Sequence, residues 1–321
     1  KEIWSKNKEL QSEEENILTA VKKLTKDKFK TYHKYIAVVQ ADGDNIGASI
    51  KSLYENSPLN ERENKLRILQ EQLFKFSKAA AKEIDDYKGK AIYIGGDDLL
   101  FFAAVKNGSK NILELLSDID KKFDKYIRNN EDLSSVFDKM KKKPSMSYGI
   151  SITYYKYPLA EAREQAYKLL EEKAKKHNNG QKNAVAYSVL KHSGTEFSAI
   201  HNKNSDFFDI FKTKILNINN EKDLLKSVIH CLDILKPSLF YIIKNERESI
   251  KSKIKNLFDN SFDEDIHKKK YKTHIENIQE LIVAGLKEIP ISFTDEEFNA
   301  AIKKIYGSLR FANFLLRKDN E

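Results

Sequence analysis

Residues 93–102 read YIGGDDLLFF. Two apolar runs, Lys90–Ile94 and Leu99–Val105, flank Gly95-Gly96-Asp97-Asp98, the pattern of a β-hairpin whose turn carries two adjacent carboxylates. Gly95 and Gly96 permit a tight turn and let the backbone approach a phosphate closely. Upstream, YIAVVQ at Tyr35–Gln40 is apolar and rich in β-branched residues, so it reads as a buried strand. It leads into Ala41-Asp42-Gly43-Asp44-Asn45-Ile46-Gly47, expected to form a turn at the strand's end and to open a helix over 46–55.

Working outward, Pro58 and Asn60 precede an amphipathic helix over 61–86, striped by Leu66, Leu69, Leu73, Phe76 and Ala80. Next come an expected helix over 109–129, a polar loop over 130–144, a strand over Met146–Tyr154 and a helix from Pro158 to Lys176. A polar turn over His177–Lys182 leads to a strand over Ala184–Leu190. This order contains a ferredoxin-like β-α-β-β-α-β core. Past about residue 205 the strand signal stops, and helices are expected over 206–217, 221–234, 237–258, 264–287 and 294–317, punctuated by Pro237 and Pro290. The expected fold class is α+β: a helical lead-in or linker over 1–34, with Ile17, Val21 and Leu24 at helical spacing, a mixed domain over 35–200, and an all-α domain over 201–321.

The 321 residues carry a net charge of +9, compatible with RNA or triphosphate partners and equally with a lysine-rich solvated surface. The single cysteine, Cys231, excludes an intrachain disulfide and a cysteine-based zinc site. No apolar run approaches the ~18 residues of a membrane span, and the start lacks a signal-peptide core, so no membrane partner and a cytoplasmic setting are expected. The chain does not begin with Met, and a longer chain is expected to precede it.

In a ferredoxin-like core the first strand lies beside the hairpin, which brings Asp42 to Asp97 and Asp98. Three carboxylates at one sheet end repel one another. Mg²⁺ or Mn²⁺, hard cations that prefer oxygen ligands, would relieve that cost. Two such ions can activate an attacking hydroxyl and neutralise a leaving pyrophosphate. Backbone N–H groups of the turn at Gly43 to Gly47 suit phosphate oxygens. The plain alternative is a decorative acidic turn, against which stand the clean flanking strands and the second strand ending in Asp-Gly-Asp.

YIAVVQADGDNIG together with YIGGDDLLFF resembles the nucleotide-cyclizing palm domain of the large subunit of type III CRISPR effector complexes, the Cmr (type III-B) branch most closely, in its C-terminal half. PSMSYGISITYYKYPLAEAREQAYKLLEEKAKK and KNAVAYSVLKHSG are similar to the rest of that palm, and the helical tail resembles the family's C-terminal helical domain. The resemblance covers about residues 30–321. It implies a palm domain of the nucleotidyl cyclase, GGDEF-like type. It implies a metal-dependent nucleotidyl transferase that makes cyclic oligoadenylate from ATP when a guide-RNA-bearing complex binds target RNA. Some members of the Cmr branch instead join AMP to S-adenosylmethionine. Asp97 and Asp98 match the catalytic acidic pair, and Asp42 the first-strand metal ligand. Implied partners are guide and target RNA, the other subunits of the complex, and a first palm. Neither that palm, a nuclease-like domain nor a cysteine-bearing zinc module is visible in these residues. Diguanylate cyclases are more distant relatives, and their phosphate-contacting Ala-Lys corresponds to Ala174-Lys175. Leu99 stands where that class has Phe, and the helical tail is foreign to it. A non-catalytic scaffold subunit is a further alternative.

Other residues carry two readings each. Lys175, with Lys173 and Lys176, either neutralises a triphosphate or only complements a helix C-terminus. Asp44 is either a carboxylate behind the metal or a helix N-cap, with the cap favoured. Asn45 could touch a ribose or base. Ser147, Gly149 and Ser151 share one strand face, where small residues leave room for a base or for a closely packed helix. His192 and Ser193, the lysine loop 139–143, and Lys268 to Lys270 with Tyr271 read as surface features that could contact a site or RNA.

Overall fold

The structure, a computed structural model, describes residues 15–17, 19–20, 29–218, 222–261 and 269–316. Val21, Leu24 and Lys268, and the side chains of Lys269 and Lys270, lie outside that description. The palm elements are β1 (Tyr35–Asp44), α1 (Ile46–Asn56), α2 (Arg62–Asp86), β2 (Lys90–Gly95), β3 (Asp98–Ala104), α3 (Ile112–Phe123), α4 (Glu131–Phe137), β4 (Ser145–Tyr154), α5 (Leu159–Lys168), β5 (Ala184–Leu190) and β6 (Glu196–Asn202). The helical tail comprises α6 (Asp206–Ile210), α7 (Lys222–Asn245), α8 (Ile250–Ser261), α9 (Lys269–Lys287) and α10 (Asp295–Leu316). Wider, π-type turns continue α3, α5 and α6 over Asp124–Arg128, Leu169–Ala174 and Phe211–Ile215.

One six-stranded sheet runs in the order β2-β3-β1-β4-β5-β6. Its first four strands are antiparallel neighbours in the ferredoxin-like arrangement, β5 joins parallel to β4, and β6 pairs antiparallel to β5. Strand alternation sorts β1 between two layers. Tyr35, Ala37, Val39 and Ala41 enter the main core, which also takes Leu69, Phe76, Ala80 and Ile84 of α2. Val38 points the other way, onto Ala162 and Ala166 of α5. That helix reaches the sheet because Gly149 has no side chain: a Cβ there would collide with the backbone of Ala166 and Leu170. Close helix packing, rather than room for a base, therefore accounts for Gly149.

Several expectations are corrected. β1 does not stop at Gln40. It runs through Asp44, because β4 offers a ladder partner all the way, pairing Asp42 with Ser147 and Asp44 with Ser145. The stretch 130–144 is not all loop. Asn130 accepts from the backbone N–H of Asp132 at 3.1 Å, and α4 buries Leu133, Val136 and Phe137. β6 was not anticipated, and a division near residue 200 falls inside it. Pro237 does not separate two helices: α7 passes through it, with Pro237 and Ile234 on an exposed face. The tail packs directly on the sheet. α10 crosses β6 so closely that a Cβ on Gly307 would collide with Ser198 O, and Tyr187 Oη donates to Gly307 O at 3.2 Å.

Candidate active site

The pairings Gln40 with Leu100 and Ala41 with Leu99 continue to set Asp42 opposite Asp98. Both side chains lie on the α5 face, two positions beyond Gln40 and Leu100 in alternation, so the carboxylates face each other across the ladder. The hairpin closes through Gly96 and Asp97, with Gly95 paired to Asp98. Gly96 has φ +69°, open to glycine without strain, and its carbonyl accepts from Ser77 Oγ of α2 at 3.0 Å. Asp97 leans to the other side of β1: a Cβ on Gly43 would lie 2.5 Å from both Cβ and Oδ2 of Asp97. Gly43 is thus required by the carboxylate beside it. A Cβ on Gly95 would strike the Tyr93 phenol, whereas one on Gly47 would meet nothing.

Burial, then the Asp42 carboxylate facing it and the charge of Asp97, push Asp98 up to about 7, with Lys175 pulling the other way. Burial also raises Asp97, and the Asp42 charge adds to it. Lys175, at the end of the wide turn after α5, places Nζ 2.7 Å from Asp42 Oδ2 and 2.5 Å from Glu171 Oε1. Burial alone would lower its ammonium, but the two hydrogen bonds outweigh that and raise it. Among the described residues no three His, Cys, Asp or Glu side chains close into a metal cage. The expected trio is instead a facing pair, Asp42 and Asp98, with Asp97 offset, because the turn residue and the first β3 residue project to different sides of β1.

Asp44 is not a helix cap. It is fully buried, and its Oδ2 accepts from Ser145 Oγ at 2.7 Å, Ser147 Oγ at 2.8 Å and the Asn183 backbone N–H at 2.9 Å, while Oδ1 has no partner. Ser147, equally buried, supports Asp44 and is closed to a nucleotide. Asn45 occupies the cap position with φ +62° and no capping side chain; its Nδ2 donates to Lys143 O at 3.2 Å. Ile46 packs partly into the core, and Gly47 is exposed. The lysine loop lies alongside, where Lys142 Nζ donates to Gly180 O at 3.0 Å. Lys173 and Lys176 instead line a cleft against α10. His192 follows β5 at the far end of the sheet, its ring 4.7 Å from that of Tyr154 and its backbone N–H on Tyr35 Oη. Glu171, Ser145, Asn183 and Ser77 were not singled out from sequence. Only Glu171 left a signal, its spacing of four from Lys175 on a helix.

An antiparallel core with an acidic hairpin beside an acid-ended first strand defines the chain's first half as a palm domain. Residues 35–186 match the family described as Cas10/Cmr2, second palm domain. The CRISPR system Cmr subunit Cmr2 of Pyrococcus furiosus is 29% identical over 185 residues, which is 52% of this chain and 20% of that protein. The palm segment of this chain is thus similar to the second palm of Cas10/Cmr2 proteins, and the chain spans about a fifth of the curated relative's length. Similar solved structures include a Csm1-Csm4 cassette in complex with pppApA, at TM-score 0.47 and 13% identity over 90% of this chain and 37% of that one. Another is a Csm1-Csm4 cassette in complex with cA4, at TM-score 0.46 and 12% identity over 88% and 37%. No helix among the described residues is long and apolar enough to cross a membrane.

Proposed function

We propose that this palm is the catalytic face of a nucleotidyl transferase that condenses ATP into cyclic oligoadenylate within a type III CRISPR effector complex. The observation that carries this reading is the convergence of Asp42 and Asp98 at one sheet end, with Lys175 Nζ 2.7 Å from Asp42 Oδ2. Such a set is all oxygen and over-charged without a cation, which fits Mg²⁺ or Mn²⁺. Asp42 and Asp98 would hold the ion, with Asp97 adjacent. Bound there, it supplies Lewis-acid stabilisation of a phosphoryl oxygen and a lowered pKa for a ribose hydroxyl.

The chain's own residues position the reaction. The first turn of α1 is uncapped, so its N–H groups are available to phosphate oxygens. Lys175, when Asp42 turns to another cation, carries its charge to the triphosphate. Asp44 and its three donors fix the floor beneath the turn. In the reaction a ribose hydroxyl oxygen bonds to an α-phosphorus, the bond to pyrophosphate breaks, and the hydroxyl proton passes to solvent. β2 is an outer strand with exposed Ile92 and Tyr93 next to the acidic turn, a surface suited to a first palm closing over the nucleotides. Guide RNA, target RNA and the remaining subunits complete the proposed assembly.

The test is to incubate the assembled, target-bound complex with labelled ATP, GTP and S-adenosylmethionine. Asp97→Ala with Asp98→Ala should abolish the ATP product while the complex still assembles; retained ATP turnover would overturn the assignment. A labelled adduct with S-adenosylmethionine would move the acceptor, not the site.

A further inference from the structure

On the α5 side of the sheet, β4, β5 and β6 present hydroxyls where a helix-covered face is ordinarily apolar. Ser151 of β4 is the register partner of Ser188 of β5, and Ser188 that of Ser198 of β6, so three serines cross the sheet in one row. Ser151, Ser188 and Thr153 are only 1%, 3% and 5% exposed. Ser188 Oγ donates to Glu196 Oε1 at 2.6 Å. Ser151 and Thr153 form no hydrogen bond with any described residue, yet their hydroxyls are not sealed: both border a cleft of about 250 Å³ between α5 and the strands. A hydroxyl drawn out of bulk water and left without a partner costs free energy, so the floor of this cleft suits a ligand that hydrogen-bonds it.

The rim of the cleft carries three carboxylates, Glu161 and Glu164 of α5 and Glu196 of β6, against one ammonium, Lys168. Lys168 Nζ lies 2.6 Å from Glu164 Oε1, and among the described residues Glu161 and Glu196 have no ion-pair partner. The rim is therefore negative on a chain whose net charge is +9.

We propose that this cleft binds a linear aliphatic polyamine. A primary ammonium has three N–H donors and no acceptor, which matches the free oxygens of Ser151 and Thr153 on the floor. A second ammonium farther along the molecule meets Glu161 and Glu196 at the rim, and the methylenes between them lie against Leu190. A divalent ion gathers its oxygens within about 2.0–2.6 Å, whereas here the free hydroxyls and the free carboxylates stand at different depths, which an extended cation spans. A neutral polyol would leave the charge of the rim unanswered. The cleft is separate from the acidic end of the sheet. Ser151 lies four residues, about 13 Å of strand, beyond Ser147, and Gly149, where the backbone following α5 meets the sheet, stands between them.

The experiment is isothermal titration calorimetry of the full chain with spermidine at low and at high sodium chloride. Saturable one-to-one binding that weakens with salt is expected. Glu161→Gln with Glu196→Gln keeps the shape of the rim and an acceptor for Ser188 but removes two charges, and should weaken binding about tenfold and flatten its salt dependence. Ser151→Ala should weaken it by roughly three- to tenfold with the salt dependence unchanged. Asp97→Asn with Asp98→Asn should leave spermidine affinity intact, which separates failure here from failure of the transferase reading. Loss of binding in that variant would place the polyamine at the acidic end and overturn the proposal. So would the absence of saturable binding to the parent chain, or displacement of spermidine by an equal concentration of Mg²⁺. Unchanged affinity in the double glutamine variant with native circular dichroism would overturn it too. If Ser151→Ala does not fold, the exposed rim variants still decide the matter.

Discussion

Asp98 and His201 are both titratable and both shifted from their ordinary pKa, one at an exposed sheet end and one wholly inside the core, and their surroundings differ accordingly. Around Asp98 stand Asp42, Asp97 and Lys175, charges that oppose and offset one another. Around His201 stand rings: Tyr187, Phe207, Phe208 and Phe211 lie near-parallel to the imidazole at 5.1–5.7 Å between centroids. Neither His201 nitrogen has a hydrogen-bond partner, and burial holds its pKa well below the ordinary value. The histidine is settled inside the chain by staying neutral. The carboxylates are settled only partly, by a lysine.

The largest expected effect tests that contrast directly. In the assembled complex, Asp97→Ala with Asp98→Ala should lower product formation by at least ~10²–10³-fold, the scale of removing a key electrostatic group from a site. The melting temperature should not fall, since relieving carboxylate crowding removes a cost of folding. A drop in stability matching the activity loss would erase the distinction between the two regions. Gly149→Val should cost roughly 1–3 kcal/mol or more by urea denaturation, because the new side chain meets backbone that cannot step aside.

For His201 the sign follows from proton counting. The unfolded chain binds a proton below about pH 6.5 and the folded chain does not, so stability is full above that pH and falls as pH drops beneath it. The slope should approach ~1.4 kcal/mol per pH unit until the folded pKa is reached, with nearby Lys304 and the similarly lowered His177 acting in the same direction. His201→Phe should flatten most of that dependence in denaturation curves between pH 5 and 7.5. An unchanged slope would show that the aromatic enclosure is not what excludes the proton. The smallest effect is at Ser147→Ala: roughly 1–3 kcal/mol of stability from the lost hydrogen bond to the Asp44 carboxylate and the long one from the Ala184 N–H, with KM for ATP unaltered. A raised KM with unchanged stability would make Ser147 a substrate contact.

Much of the palm was legible because its strands are continuous apolar runs bounded by glycine and aspartate. The hairpin at Gly96–Asp97 and the adjacency of β1 to β3 follow from those runs and from ferredoxin-like order. What stayed hidden depends on register and on distant partners. Which aspartate meets Asp42 is decided by the two-residue turn, which places Asp98 on the strand and Asp97 off it. Asp44 looked like a cap because its donors, Ser145, Ser147 and Asn183, lie about a hundred or more residues away. β6 escaped notice because EFSAIHN alternates only weakly, with Phe197, Ala199 and His201 inward against the tail. Pro237 suggested a break, but the helix continues through it despite the lost N–H and the crowding of the ring against the preceding turn.

The contact between Gly307 and Ser198 has a consequence for biosynthesis. β6 is an outer strand of the sheet, and α10, the helix that shields it, leaves the ribosome roughly a hundred residues later. At about 5–20 residues per second, the strand's apolar face stays uncovered for on the order of ten seconds on each nascent chain. During that interval Phe197 and Ala199 present apolar surface that a neighbouring polypeptide can bind. Yield in the cell therefore hinges on how quickly α10 arrives to cover it.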